Sequence, residues 1–331
     1  MIDEKKITHI KTCTTPELTK QEWNSYVSSF NKVFKTKKNI NYFNKKYSAS
    51  SNGYSFHAFL LDENQNIIGA CSLIPSYYKR NETPLKIALA FDVFIFPEYR
   101  NDSLIFLKLY LNLKKIISND DIVAVVAVPN VNSYDYWKKV IKFHDVGNLT
   151  YWALPIRIHN VIAKLPPVLN YISLLYSKTS LILNSLFSVF YNSKEKRSNC
   201  EVVADNPFLK ARFYGDYVSV IDGNITCYYC VVDEDGVKTA YLIYAKENGT
   251  TSYRAILKGV KTILKREKVD LVLYIGTFKI FQFLLIRVPD QFIPKRLPLI
   301  CDILKKEDKE KYQDLLDISN WDFGLMNYDV R

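Results

Sequence analysis

The sequence predicts an α/β fold of mixed sheets, arranged as two similar domains in tandem. Three observations carry this. At 331 residues the chain is long enough to bury two cores. Residues 85–96 (LKIALAFDVFIF) and 122–128 (IVAVVAV) are apolar almost throughout, as strands buried on both faces are. The order of helices, hairpin, strand, helix and strand read before residue 160 recurs after residue 200.

Residues 15–34 begin Thr-Pro and space Leu18, Trp23, Tyr26, Val27, Phe30 and Val33 along one helical face. A short second helix covers 41–47. Residues 54–61 and 67–74 form a hairpin about the polar loop 62–66 (DENQN). The hairpin feeds the 85–96 strand, which Pro97 ends because it has no N–H to donate to a ladder. The turn Arg100-Asn101-Asp102-Ser103 supplies N-cap residues, and an apolar helix follows from Leu104. A strand that enters a helix through a short polar turn leaves backbone N–H groups at the helix N-terminus, a geometry that holds phosphate. The strand at 122–128 and another at 151–158 complete a first domain over residues 1–160.

Residues 161–199 connect the domains. Leu165-Pro166-Pro167 breaks the chain, and 168–190 reads as a pair of amphipathic helices packed on the domains, with weak interfacial membrane contact as the alternative. Lys178 and the repeated Ser and Asn argue against a membrane span. A polar linker, 193–198 (SKEKRS), follows. In residues 200–331 a helix starts at Asp205-Asn206-Pro207, and 217–221 and 225–232 form a hairpin about Asp222-Gly223-Asn224. A strand (239–245), a helix (252–266), a buried strand (269–275) and a helix (278–286) come after it.

A hydrophobic share of 48%, with 24 Tyr and 19 Phe, excludes a disordered chain. Cys227 and Cys230 have C-x-x-C spacing, but on a strand they point to opposite faces; without a second pair the spacing predicts no metal site. The N-terminus (MIDEKKITHIK) lacks an apolar signal core, so six reduced thiols in a cytoplasm are the expectation. The four His are dispersed, and no Walker A, G-x-G-x-x-G or nucleophile elbow occurs. Net charge is +11, but Lys and Arg are scattered, whereas nucleic acid calls for a concentrated stripe in a recognisable module. A basic cleft for small polyanions uses the same charge.

At Pro97-Glu98-Tyr99-Arg100 the chain resembles the GNAT superfamily of acyl-CoA-dependent N-acyltransferases, in which such a turn enters the helix that cradles the coenzyme A pyrophosphate. Of the family pattern (Arg or Gln)-x-x-Gly-x-(Gly or Ala), Arg100 is kept, Ser103 replaces the first Gly, and Ile105 replaces the second small residue. Asn130 and Phe143 match the helix that follows the next strand, while Trp137 stands where the family often has a catalytic Tyr. The resemblance implies coenzyme A along Val93, Phe94 and Ile95, held by Arg100, Asn101, Asp102, Ser103, Asn130 and Trp137, with no metal. Tyr136 and Tyr134 are the neighbouring phenols that could substitute for the missing proton donor, although on a helix they point elsewhere.

It also implies that the second domain is a degenerate copy: residues 245–251 (AKENGTT) lack the phosphate turn, and the domain helps to form an acceptor cleft. The tandem arrangement and the ending Trp321-Asp322-Phe323 to Tyr328-Asp329 are similar to enzymes that acylate dTDP-linked 3-amino-3,6-dideoxyhexoses for bacterial surface polysaccharide. The implied partners are acyl-CoA and a nucleotide-linked amino sugar. Tyr77, Tyr78, Lys79 and Arg80 offer an aromatic shelf and cations for that nucleotide, or are only a polar loop. Asp92 is the expected base, because an ammonium has no lone pair with which to attack a thioester. Counting by twos puts it on one face with Ala88, Ala90, Phe94 and Phe96, whose apolar character favours a base; pairing with an Arg or capping a backbone is the alternative. Rival functions are a non-catalytic protein of polysaccharide assembly and a tRNA-dependent aminoacyl transferase.

Overall fold

Thr19 opens the first long helix: its hydroxyl accepts from Glu22 N (3.3 Å) while the Glu22 carboxylate accepts from Thr19 N (3.0 Å). The helix, α1 (Lys20–Phe34), starts later than the Thr-Pro signal predicts, and that signal forms only a 3₁₀ turn, Thr15–Glu17. The computed structural model describes residues 7–100, 102, 104–193, 200–213 and 217–328. Around α1 stand β1 (Ile7–Thr14), α2 (Ile40–Ser48), β2 (Phe56–Asp62), β3 (Ile67–Arg80) and β4 (Thr83–Ile95). After them come α3 (Ile105–Ile117), β5 (Ile122–Ala127) and α4 (Val131–Asp135). The β2–β3 hairpin is set by Asp62, whose carboxylate accepts from Asn64 N and Asn66 N while Gln65 takes positive φ.

The chain divides into two compact units. The first holds Met1–Asn148, Cys200–Arg212 and Leu297–Asn320. Its sheet runs β1-β2-β3-β4-β5, then Pro298–Ile303, then His144–Asn148, with Cys200–Val202 added beside Tyr78–Arg80 of β3. The β4–β5 pair is parallel, its crossover being α3, and the other neighbours are antiparallel. Trp23, Tyr26, Phe30, Phe43 and Tyr47 of α1 and α2, with Phe106, Leu109 and Leu113 of α3, supply the core.

The second unit holds Leu149–Asn199, Phe213–Arg296 and Trp321–Arg331. Its sheet order is Ile286–Arg287, Thr150–Pro155, Leu271–Gly276, Val237–Glu247, Ile225–Glu234, Val218–Asp222. The Tyr253–Arg266 helix, capped by Ser252, packs on the sheet through Ile256, Val260 and Ile263.

Four expectations change. The partition into residues 1–160, 161–199 and 200–331 is replaced by an exchange of strands: Thr150–Pro155 pairs with Leu271–Gly276 in the second unit, while Pro298–Ile303 pairs with β5 in the first. Proximity in sequence assigns a lone strand to the preceding domain, but its unpaired N–H and C=O groups go wherever an open edge of matching register exists.

Residues 278–286 are not helical. The Gln282 side chain accepts from Leu284 N and Leu285 N and donates to Leu285 O, so it takes backbone groups a helix needs. The pair of helices expected over 168–190 is one helix, Leu169–Phe190, and its buried face is the polar one: Ser173, Ser177, Ser180 and Asn184. The linker residues 194–198 and Asp329 lie outside the described residues.

The fourth change is the face count along β4. Ser72 pairs with Phe91 and Ala70 with Phe94, so one residue of β3 faces two of β4, a bulge at Asp92-Val93. Opposed residues share a face, which puts Phe91 with Phe94 and leaves Ala90 and Ala88, paired with Leu73 and Pro75, on the other.

Candidate functional site

The β4–β5 ladder ends at Leu89↔Val126, yet β4 runs on to Ile95, so its last residues part from β5. Ala90 to Val93 are half-buried, between fully buried residues on both sides. At the centre of this stretch Asp92 adopts φ +51°, a left-handed conformation that Asp tolerates better than most side chains. The bulge turns its carboxylate toward α1 and α2. Lys46 Nζ donates to Oδ1 at 2.6 Å, and the Tyr47 and Tyr26 hydroxyls reach Oδ2 at 2.6 and 3.3 Å. Asp92 is therefore set among polar donors, not the small apolar neighbours expected.

The contacts continue inward. The Tyr26 and Tyr47 hydroxyls bond to each other, Tyr47 also meets Ser72 Oγ (3.3 Å), and Ser72 Oγ meets His57 Nδ1 (2.9 Å). His57 Nε2 then meets Thr15 Oγ1 at 2.9 Å. Burial, followed by the Asp92 charge, holds both tyrosines well above the usual phenol range, so each keeps its proton and can donate. Burial lowers His57 to about 3 and keeps the ring neutral, with one donor and one acceptor nitrogen. The sequence reading missed Lys46, Tyr47, Tyr26, Ser72 and His57. Their pattern reads as helix faces and a strand, and only the hydroxyls on two core tyrosines signal a buried partner.

The approach to the expected phosphate turn is a 3₁₀ turn, Pro97–Tyr99, and α3 begins beyond the turn, at Ile105. Arg100 Nε donates to Ile95 O at 2.8 Å, tying the turn to the strand end. Asp102 Oδ1 accepts from Leu104 N (2.8 Å) and Oδ2 from Lys108 Nζ (2.7 Å). Those two bonds, Lys108 first, hold its carboxyl below the usual range. A carboxylate thus already occupies one of the N–H groups on which an anion was expected. Asn101 and Ser103 lie outside the described residues.

Asn130 caps α4, its side chain accepting from Asn132 N and Ser133 N. Trp137 is a core residue, its ring edge-on to Phe106 and Phe143 at 4.8 and 4.7 Å. Tyr136, 41% exposed, is accessible. Tyr77 to Arg80 lie in β3 and do not converge, because alternation sends them to opposite faces. Tyr78 is buried, while Tyr77 is exposed under Lys86 Nζ, and Lys79 is exposed too. Arg80 is committed: Nε meets both Asp314 oxygens (2.9 and 2.8 Å) and Nη2 donates to Lys311 O.

The second unit repeats the geometry. Tyr228 pairs with Tyr244 and Tyr229 with Leu242, a bulge at Ile243, and the parallel ladder to Leu271–Gly276 stops at Tyr241↔Leu273. Here the gap is filled by the Trp321–Tyr328 segment. Asp322 Oδ2 accepts from Lys246 Nζ at 2.9 Å with both groups buried, and Gly324 bridges to Gly276. A Cβ on Gly276 would stand 2.7 Å from Phe323 O, so the close approach requires glycine. Ser252 Oγ accepts from Ala255 N and satisfies the next helix N-terminus.

No protein-family model and no curated protein matches the chain. Solved structures do. A conserved protein of unknown function from Enterococcus faecalis V583, a probable N-acyltransferase, aligns with 90% of this chain and 73% of its own, at 10% identity and TM-score 0.55. A GCN5-related N-acetyltransferase from Anabaena variabilis ATCC 29413 aligns with 89% of this chain and 73% of its own (11% identity, TM-score 0.54). Another from Kribbella flavida aligns with 89% and 72% (8% identity, TM-score 0.52). With its two mixed sheets, each opened by a bulged strand, the chain has the fold of the GCN5-related N-acetyltransferases.

Proposed function

We propose that the chain is an N-acyltransferase that moves an acyl group from acyl-CoA to the amine of a nucleotide-linked amino sugar in the cytoplasm. The observation that carries this reading is the half-exposed Ala90–Val93 stretch where β4 leaves β5. Beyond Leu89 the β4 edge offers backbone N–H and C=O groups that an extended amide-bearing arm pairs with, as an added strand does. Val93, Phe94 and Ile95 line that edge.

Asp92 takes the amine proton, directly or through water, and Lys46, Tyr47 and Tyr26 hold its carboxylate in place. Tyr136, the exposed phenol, supplies the proton to the departing thiolate. The nucleotide-linked sugar, of the dTDP-3-amino-3,6-dideoxyhexose type, rests on the resemblance in sequence. Six free thiols, all buried, support a reducing compartment.

A second reading, a non-catalytic protein that binds no coenzyme A, is favoured by the Asp102 carboxylate on Leu104 N. Calorimetric titration with acyl-CoA separates the two, and thiol release with a panel of amines, nucleotide-linked sugars included, identifies the acceptor. Heat of binding with thiol release supports acyl transfer; neither with any acyl-CoA overturns it.

A further inference from the structure

The Leu169–Phe190 helix is docked inside out. Its buried positions, Ser173, Ser177, Ser180 and Asn184, recur every three to four residues and form one stripe. Ser173 Oγ donates to Ile156 O (2.9 Å), and Tyr253 of the Tyr253–Arg266 helix donates its hydroxyl to the Asn184 side chain. Leu174, Leu181 and Phe187 flank the stripe and anchor the helix on the second unit's core. The opposite face is apolar and in solvent: Ile172, Leu175, Leu183, Leu186, Val189 and Phe190, the last 90% exposed. A soluble helix shows the reverse arrangement. The patch extends onto a second segment, where Phe283 packs on Phe187 and Phe281 on Tyr191, and both phenylalanines remain exposed.

Charge in the segments that carry this patch is one-sided. Among the described residues, 161–193 and 279–296 together carry six Lys or Arg against one acidic residue, Asp290. Lys178 is exposed, and helical spacing puts it at the border of the apolar face.

We propose that this face binds the surface of an anionic bilayer, the helix lying in the interface plane with its apolar side among the acyl chains. The helix is long and apolar enough by composition to cross a membrane, but its docked Ser/Asn stripe makes it lie on the bilayer. A cationic rim around an apolar face complements anionic headgroups. A second copy is the poorer occupant, because a two-fold contact would set each cationic rim against its own copy. The proposal is independent of acyl transfer.

Flotation of the full-length protein with phosphatidylcholine vesicles, with and without phosphatidylglycerol, tests it. The wild type should float with the phosphatidylglycerol vesicles and be released in about 0.5 M salt, where screening shortens to a few ångström. Leu183→Glu/Leu186→Glu changes only exposed positions, so its unfolding temperature should hold while vesicle partitioning falls at least about tenfold. Lys178→Glu should weaken binding to the anionic vesicles alone. Equal flotation of wild type and double variant, or a wild type that stays unbound with phosphatidylglycerol, overturns the proposal. So does a lipid-free wild-type dimer that the double variant dissolves, which assigns the face to a second copy.

Discussion

The two units solve one backbone problem in opposite ways. In each, a long strand bulges and parts from its parallel neighbour after three or four pairs. Unit one leaves the parted strand half-exposed from Ala90 to Val93, whereas unit two buries every residue from Leu242 to Glu247. The cause in unit two is the chain's own C-terminal segment, which brings Asp322 to Lys246 and Gly324 to Gly276. Both gaps hold a Lys–Asp pair. In unit one the pair, about as buried, meets two core tyrosine hydroxyls beneath a partly exposed strand; in unit two it ties the last segment to the strand. A shared bulge therefore does not make a site: what fills the gap decides.

The comparison breaks most sharply at the two aspartates. Asp322→Ala leaves the Lys246 ammonium buried without a partner and should cost about 3–5 kcal/mol of stability, read as a lowered denaturant midpoint. An unchanged midpoint would show that the closure is not structural. Asp92→Asn suits the left-handed backbone and keeps one acceptor oxygen, but Lys46 loses its carboxylate, so stability should fall less, by about 1–3 kcal/mol. Its acyl-transfer rate should fall about 10²- to 10⁴-fold at neutral pH and recover as pH rises and free amine accumulates. A folded Asp92→Asn protein with wild-type rate removes Asp92 from the chemistry.

A smaller effect is expected where chain meets chain. Gly276→Ala forces a methyl against Phe323 O and should cost about 1–3 kcal/mol. If thermal unfolding shows no loss, the Gly276–Gly324 approach is looser than described.

Acidity probes the first unit. His57 is neutral in the fold down to about pH 3, while in the unfolded chain it binds a proton below its ordinary value of 6.5. The unfolded state thus holds more protons between these values, so stability falls with decreasing pH, by up to about 1.4 kcal/mol per unit. Denaturant titrations of wild type and His57→Gln from pH 7 to about 4 should diverge; parallel curves would remove the histidine as the cause.

The smallest change concerns the phosphate turn. Asp102→Asn keeps an acceptor for Leu104 N but removes a fixed anion, and should tighten acyl-CoA binding a few-fold, about 0.3–1 kcal/mol. Weaker binding would place the pyrophosphate elsewhere.

The sequence by itself determined whatever depends on neighbours within a few positions. Ser252 at a helix start, the polar 62–66 loop as a hairpin turn, Pro97 as a strand end and the apolar runs at 85–96 and 122–128 all act locally, so their signals are complete in the chain. Two α/β sheets in repeated order followed from them, as did Asp92 as a singular residue in an apolar strand.

Only the tertiary structure decided the rest. Thr150–Pro155 and Pro298–Ile303 exchanged sheets because ladder partners are chosen by open edges far away in sequence. One extra residue in β4 reversed the face count around Asp92, and its donors came from positions 45, 46 and 66 residues earlier. The Leu169–Phe190 helix turned its Ser/Asn stripe inward, where Ser173 meets Ile156 O and Asn184 meets Tyr253, partners that no amphipathic pattern reveals. Pairing register and burial are properties of two segments at once, and a sequence read one segment at a time holds only half of each.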